Sequence, residues 1–238
     1  MAVVISIDAG TTGVRSIAFS PGGTIVASSY REFPQYFPQP GWVEHDATEI
    51  WDAVQTTLSQ VVGALDESIA AIGITDQRET VVVWDRSTGE PLHRALVWQD
   101  RRTSARCEEL VEAGHEPKVR ETTGLVLDPY FSASKLEWLI GGRHIEVGPD
   151  TAFGTVDSWL MWKLTNGAVH VTDTTNASRT LLYDIGNMAW SEEMLDLFGI
   201  PASVLPEVRP SSGRFGETAD GLSIPAGCLL YTSPSPRD

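Results

Sequence analysis

Three apolar-rich runs open the chain, at 2–8, 14–20 and 24–33. Each mixes β-branched and small residues with polar ones, which predicts three strands. The stretch PQYFPQPGW, with prolines at 34, 38 and 40, then interrupts the pattern, because each proline removes a backbone donor and fixes φ. Beyond it the period changes. Ile50, Val54, Leu58, Val61 and Leu65 recur at helical spacing and predict a helix with one buried face. Asp46 is placed to cap it, and Glu49, three residues on, fits a capping box. IAAIGITDQ (69–77) and TVVVWD (80–85) predict buried strands, STGE a turn, and RALVWQD (94–100) a further strand. Helices are predicted over 101–113, 132–141, 157–164 and 192–198. Strands first, then helices and strands intermixed, give an α/β class.

Residues 208–227 are rich in Gly, Pro and Ser with no clear period, and read as a domain edge or connecting arm. The closing YTSPSPRD has no apolar face and no continuity with what precedes it. The expected organisation is therefore one domain over 1–227, with 228–238 a non-native scar or a native disordered tail. No internal repeat is found.

Composition narrows the function classes. Acidic residues outnumber basic ones 32 to 17, for a formal charge of −15, the wrong sign for wrapping nucleic acid. Cys107 and Cys228 stand far apart and form neither a disulfide framework nor a metal-ligand spacing, which points to a reducing cytoplasm. MAVVISI is too short for a signal peptide, and no apolar run approaches a membrane span.

Two stretches carry candidate chemistry. In SIDAGTTGVRSIAFS, a Gly- and Thr-rich turn joins two predicted strands. Main-chain N–H groups in such a turn can converge on a phosphate, and a carboxylate such as Asp8 can hold Mg²⁺ together with phosphate oxygens. Arg15 on the returning strand adds positive charge, while a plain β-turn accounts for the same residues. The sequence is not a P-loop, having no G-K-[ST] and no helix directly after it. The second stretch is ITDQRETVVVW, where Arg78 and Glu79 interrupt two apolar runs. Donors from Arg and acceptors from Glu suit the adjacent hydroxyls of a polyol, with Trp98 and Tyr130 available as an aromatic wall. A solvated corner and two core aromatics are the alternative reading.

Taken in order, DAGTTGVRSIAF, REFPQYFPQPGWVEHDATEIW, AAIGITDQRETVVVWDRSTGEP, ALVWQDRRT, TGLVLDPYFSASKLEWL, FGTVDSWLMWKLT and HVTDTTNASRTLL resemble the FGGY family of carbohydrate kinases, and within it the branch acting on glycerol. The resemblance implies a ribonuclease-H-like (actin-like ATPase) domain, a mixed sheet flanked by helices, with a second nucleotide-binding domain to follow. It implies ATP-dependent phosphoryl transfer to glycerol, giving sn-glycerol 3-phosphate, with ATP and Mg²⁺ as cofactors. It implies that Arg78, Glu79 and Tyr130 hydrogen-bond glycerol and that Trp98 packs on its carbons. It implies further that Thr11, Thr12, Gly13 and Arg15 line the nucleotide phosphates, with Asp8 near the metal.

This chain has Ala9, Gly13 and Val14 where the family pattern has Gln and two Ser, so a hydroxyl at position 13 is missing. The family's catalytic Asp, in a Gly-Asp-Gln segment, is expected beyond IPAG, where this chain reads CLLYTSPSPRD. The expectation is an inactive fragment whose full-length parent is the kinase, soluble and able to form homo-oligomers. Another FGGY kinase acting on a pentulose, a non-catalytic binding module and an actin-like or chaperone-like ATPase are the alternatives.

Overall fold

The computed structural model describes residues 2–142, 144–219, 222 and 229–232. In chain order the elements are β1 (Val3–Ala9), β2 (Gly13–Phe19), β3 (Ile25–Glu32), β4 (Glu44–His45), α1 (Ala47–Gly63), β5 (Ile69–Asp76), β6 (Val82–Asp85), β7 (Ala95–Leu96), α2 (Ser104–Glu112) and α3 (Glu116–Thr123). There follow α4 (Ser132–Gly141), β8 (Thr151–Gly154), α5 (Val156–Leu164), β9 (Val171–Asp173), α6 (Thr174–Ala177), β10 (Tyr183–Asp184), β11 (Ala189–Trp190), α7 (Glu192–Phe198), β12 (Glu207–Arg209), β13 (Gly216–Glu217) and β14 (Leu229–Thr232).

The main sheet has the order β13-β14-β5-β1-β2-β3. β1, β2 and β3 form an antiparallel meander, and β5 and β14 add to it in parallel with β1. Antiparallel meander on one side, parallel strands on the other, helices against the sheet: this is the ribonuclease-H-like arrangement. Along β1 burial alternates. Val3, Ile5, Ile7 and Ala9 are buried, while Val4, Ser6 and Asp8 face the other way. Val14, Ser16 and Ala18 continue the buried face on β2, and Ile50, Val54, Leu58 and Val61 of α1 complete the same core. The Ser16 and Thr57 hydroxyls pair inside it at 2.9 Å, so neither is stranded.

A second core lies beside the first. It gathers Leu110, Val119, Leu136, Leu139, Leu182 and Phe198 from the helices after β7 and the chain between them. The β6–β8 ladder is the wall between the two. Val82 and Trp84 point into the first core and Val81 and Val83 into the second, because strand side chains alternate faces.

Local expectations hold where a period or a cap carried them. Asp46 caps α1, accepting from the Thr48 main-chain N–H at 2.9 Å. The capping box does not close: Glu49 instead accepts from the Tyr36 hydroxyl at 2.9 Å. Only Ala95–Leu96 of the strand predicted over 94–100 is extended. Helix α3 was not predicted, since it is mostly polar and buries only Val119, Thr122 and Thr123. Its signals were a proline in the first turn and Gly124 at φ 73° past the end.

One boundary needs correction. Residues 228–238 were set aside as tail, yet Leu229–Thr232 pairs with β5 from Leu229↔Ala71 to Thr232↔Ile74 as part of the main sheet. Cys228 and residues 233–238 lie outside the described residues, as does most of 220–227. Among the described residues no helix is long and apolar enough to cross a membrane.

Candidate active site

The C-terminal ends of β1 and β5 open onto a cleft of about 970 Å³. Asp8, Thr11, Arg78, Glu79, Trp98 and Tyr130 all line it, although they come from four separate stretches of chain. Thr12, Gly13 and Arg15 sit on the hairpin beyond this lining.

The hairpin is closed by a hydrogen bond from the Gly10 N–H to the Gly13 carbonyl at 3.0 Å, leaving Thr11 and Thr12 at its tip. The next segment is tied to it. The Gln77 main-chain N–H donates to the Ala9 carbonyl at 2.9 Å, and the Gln77 side chain donates to the Gly10 carbonyl at 3.2 Å. The Trp98 indole N–H donates to the Thr11 hydroxyl at 3.0 Å, so one wall of the cleft holds the tip of the hairpin.

The Arg78–Glu79 corner is not a solvated one. Glu79 is 2% exposed and sits at φ 63°, a left-handed conformation uncommon for a residue with a side chain. The backbone there is held by the Ser132 hydroxyl, which donates to the Glu79 carbonyl at 3.0 Å. Burial pushes the Glu79 carboxyl up in pKa, and Arg179 opposes that shift. The Arg179 Nε–H donates to Glu79 Oε1 at 2.6 Å. The same guanidinium lies 5.5 Å from the Tyr130 ring centroid and 4.9 Å from that of Phe131.

Tyr130 and Trp98 face each other with centroids 5.3 Å apart, and both are half-buried at the edge of the cleft. What aims Tyr130 is Lys135. This lysine is wholly buried on α4, and its ammonium donates to the carbonyls of Pro129, Tyr130 and Phe131, the last two at 3.0 Å. Burial lowers its pKa to about 7, against the pull of the surrounding acids, Asp100 foremost.

Sequence reasoning missed Arg179 and Lys135. Both lie inside stretches quoted for the resemblance, but nothing local distinguishes them from surface cations. It also missed Asp76 and Gln77, which lie inside a predicted strand. Asp76 accepts from the Asp157 main-chain N–H at 3.2 Å and from the Asn176 amide at 3.3 Å. It thereby ties the floor of the cleft to α5 and α6. Burial raises Asp76 well above the usual carboxylate range, and Asp157 and Asp173 raise it further.

Residues 3–230 match the N-terminal domain of the FGGY family of carbohydrate kinases. The chain belongs to that family. Among FGGY proteins it is 53% identical over 230 residues to a glycerol kinase of Alcanivorax borkumensis, covering 93% of this chain and 46% of that protein. It is 50% identical over 233 residues to a glycerol kinase of Bacillus subtilis, covering 93% and 47%. The chain thus spans about half the length of the curated relatives it matches. The crystal structure of Plasmodium falciparum glycerol kinase with ADP superposes with a TM-score of 0.89 at 36% identity, covering 97% of this chain and 48% of that one. A gluconate kinase of Lactobacillus acidophilus reaches the same TM-score at 24% identity, which shows the shared FGGY fold and no more.

Proposed function

We propose that this chain is the substrate-side half of an ATP-dependent glycerol kinase, acting in the cytoplasm and transferring phosphate to form sn-glycerol 3-phosphate. The observation that carries the reading is the corner made by Arg78, Glu79, Trp98 and Tyr130 on one cleft with the Asp8–Thr11 turn. A buried carboxylate accepts from a hydroxyl, a guanidinium and a phenol donate, and an indole covers carbon. That set fits a small polyol, and a site of this kind rejects analogues lacking a hydroxyl because its own groups are left unpaired.

Thr11, Thr12, Gly13 and Arg15 are assigned to the nucleotide phosphates. Asp8 is assigned to Mg²⁺, since the ion prefers one or two carboxylates plus phosphate oxygens and water over a full protein cage. When bound beside Asp8 the ion would supply charge neutralisation on the phosphoryl group, while Arg78, Glu79 and Tyr130 would position the acceptor hydroxyl.

The test is saturation-transfer NMR of the 238-residue chain with glycerol and, separately, with a pentulose such as D-xylulose. Weak glycerol binding is expected, since kinase sites of this kind close between domains. It should vanish in Glu79→Ala. Pentulose binding without glycerol binding would transfer the assignment to a pentulose kinase.

A further inference from the structure

Strand pairing sets Asp8 opposite Arg15, Arg15 opposite Tyr30 and, on the other side, Asp8 opposite Thr75. Directly paired residues on neighbouring strands share a face. This face is turned away from α1, because Val14 and Ser16, the residues alternating with Arg15, are the buried ones. A phenol, a guanidinium, a carboxylate and a hydroxyl therefore run in one row across four strands, and two of them, Asp8 and Thr75, line the cleft.

Tyr30 is 46% exposed, and the Arg15 guanidinium carbon lies 5.2 Å from its ring centroid. Its hydroxyl forms no hydrogen bond among the described residues. It leans over Gly13, which is buried although it stands at the hairpin mouth. A methyl group placed on Gly13 would lie 2.7 Å from the Tyr30 hydroxyl oxygen, 2.9 Å from its ring and 2.7 Å from the Arg31 carbonyl. The phenol thus fills the space of the side chain absent at position 13, and brings a hydroxyl there from the neighbouring strand.

We propose that Tyr30 is a phosphate-binding residue of the hairpin, its hydroxyl donating to a nucleotide phosphate oxygen at the place left open by Gly13. The inference rests on the phosphoryl-transfer reading above. Its ligand is a polyphosphate rather than a polyol. The neighbours are a guanidinium and a turn of main-chain N–H groups, and a hydrogen bond from a phenol to an anion is charge-assisted. The stacked Arg15 holds the ring and adds the positive charge that the hydroxyl lacks.

The probe is inorganic tripolyphosphate, titrated by calorimetry into the full chain and into Tyr30→Phe. The variant keeps the ring stacked on Arg15 and removes one oxygen, so the fold is not disturbed; matching circular dichroism checks this. Binding about tenfold weaker in the variant is expected, from the usual worth of a hydrogen bond to a charged group. Binding within twofold of the parent chain overturns the role of Tyr30 and leaves the hairpin as a phosphate site. No binding by the parent chain overturns both this inference and the phosphate assignment of the hairpin, while the glycerol experiment still judges the polyol corner.

Discussion

Glu79 and Thr12 stand at opposite ends of the candidate site and are held by different means. Glu79 is 2% exposed, fixed in a left-handed conformation, paired to Arg179 and supported from behind by Ser132. Thr12 is exposed at the tip of a two-residue turn, where the Phe33 N–H donates to its carbonyl over a long 3.4 Å. The end proposed to bind the polyol is a set of side chains locked by buried partners. The end proposed to bind phosphate is a strip of small residues, with Thr12 exposed at its tip. A three-carbon alcohol offers few groups, so its site must be rigid to discriminate. A polyphosphate offers many oxygens and brings its own metal, so donors without bulk suffice.

The contrast is broken most forcefully at Arg179. Arg179→Ala leaves the Glu79 carboxylate buried without its ion-pair partner, and removing one member of such a pair costs about 3–5 kcal/mol when both are fully buried. Arg179 is 25% exposed on its side chain, so the lower part of that range is expected, read by urea unfolding. Glycerol binding should be lost as well, because the Glu79 carboxyl loses the guanidinium that orients it and opposes the upward push of burial on its pKa. Arg179→Lys should recover part of both. Unchanged stability in Arg179→Ala would mean that the polyol end is not held by this pair.

Lys135 tests the same rigidity from the other side of Tyr130. Lys135→Met keeps much of the volume but leaves the carbonyls of Pro129, Tyr130 and Phe131 without their shared donor. About 2–3 kcal/mol of stability should go, by the cost of stranding buried acceptors. The Trp98–Tyr130 contact should loosen, read as a change in tryptophan fluorescence that Arg15→Gln at the open end does not produce. A stable variant with unaltered fluorescence would show that the loop carrying Tyr130 is held by its own turn, through the Tyr130 N–H to Asp128 bond of 2.8 Å.

The two ends were not equally legible in the sequence. The hairpin is local: eight consecutive residues contain both strands' ends and the turn, and a period of two announces the strands. Helix α4 was placed at 132–141, and α5 and α7 within a residue, because their apolar spacing is local too. The polyol end is assembled across distance. Arg179 and Glu79 are 100 residues apart, and Asp76 meets Asp157 across 81. No periodicity records such a pairing, and the types concerned, Arg, Lys and Asp, are surface residues by default. The break between two apolar runs pointed to Arg78 and Glu79, and the resemblance added its weight to them and to Trp98 and Tyr130, yet neither pointed to the residues that hold them. β14 was missed for a related reason: four residues after a Gly- and Pro-rich arm have no pattern of their own, and only β5 makes them a strand.

The gentlest test concerns pH. Asp157 is buried between α5 and β9, with Asp76 and Asp173 facing it and the hydroxyls of Thr155 and Thr172 donating to it at 2.5 and 2.8 Å. Burial first, then Asp173, raises its pKa to about 7. The folded chain therefore keeps a proton that the unfolded chain has lost between about pH 4 and 7. That contribution to stability is complete below the unfolded pKa and is lost as pH rises through the folded one. Asp76 shifts in the same direction. His45 and His170, both lowered to about 4 by burial, act with the opposite sign between pH 4 and 6.5. They are present in parent and variant alike and cancel in a difference. Asp157→Asn stays neutral at every pH, so its Tm relative to the parent should rise between pH 5 and pH 8.5. The gain should be a few degrees, with no change in the tripolyphosphate affinity of the open hairpin. A Tm difference that stays flat across that range would show that the Asp157 carboxyl is not the group that keeps a proton on folding, and that the Thr155 and Thr172 hydroxyls offset its burial as a carboxylate.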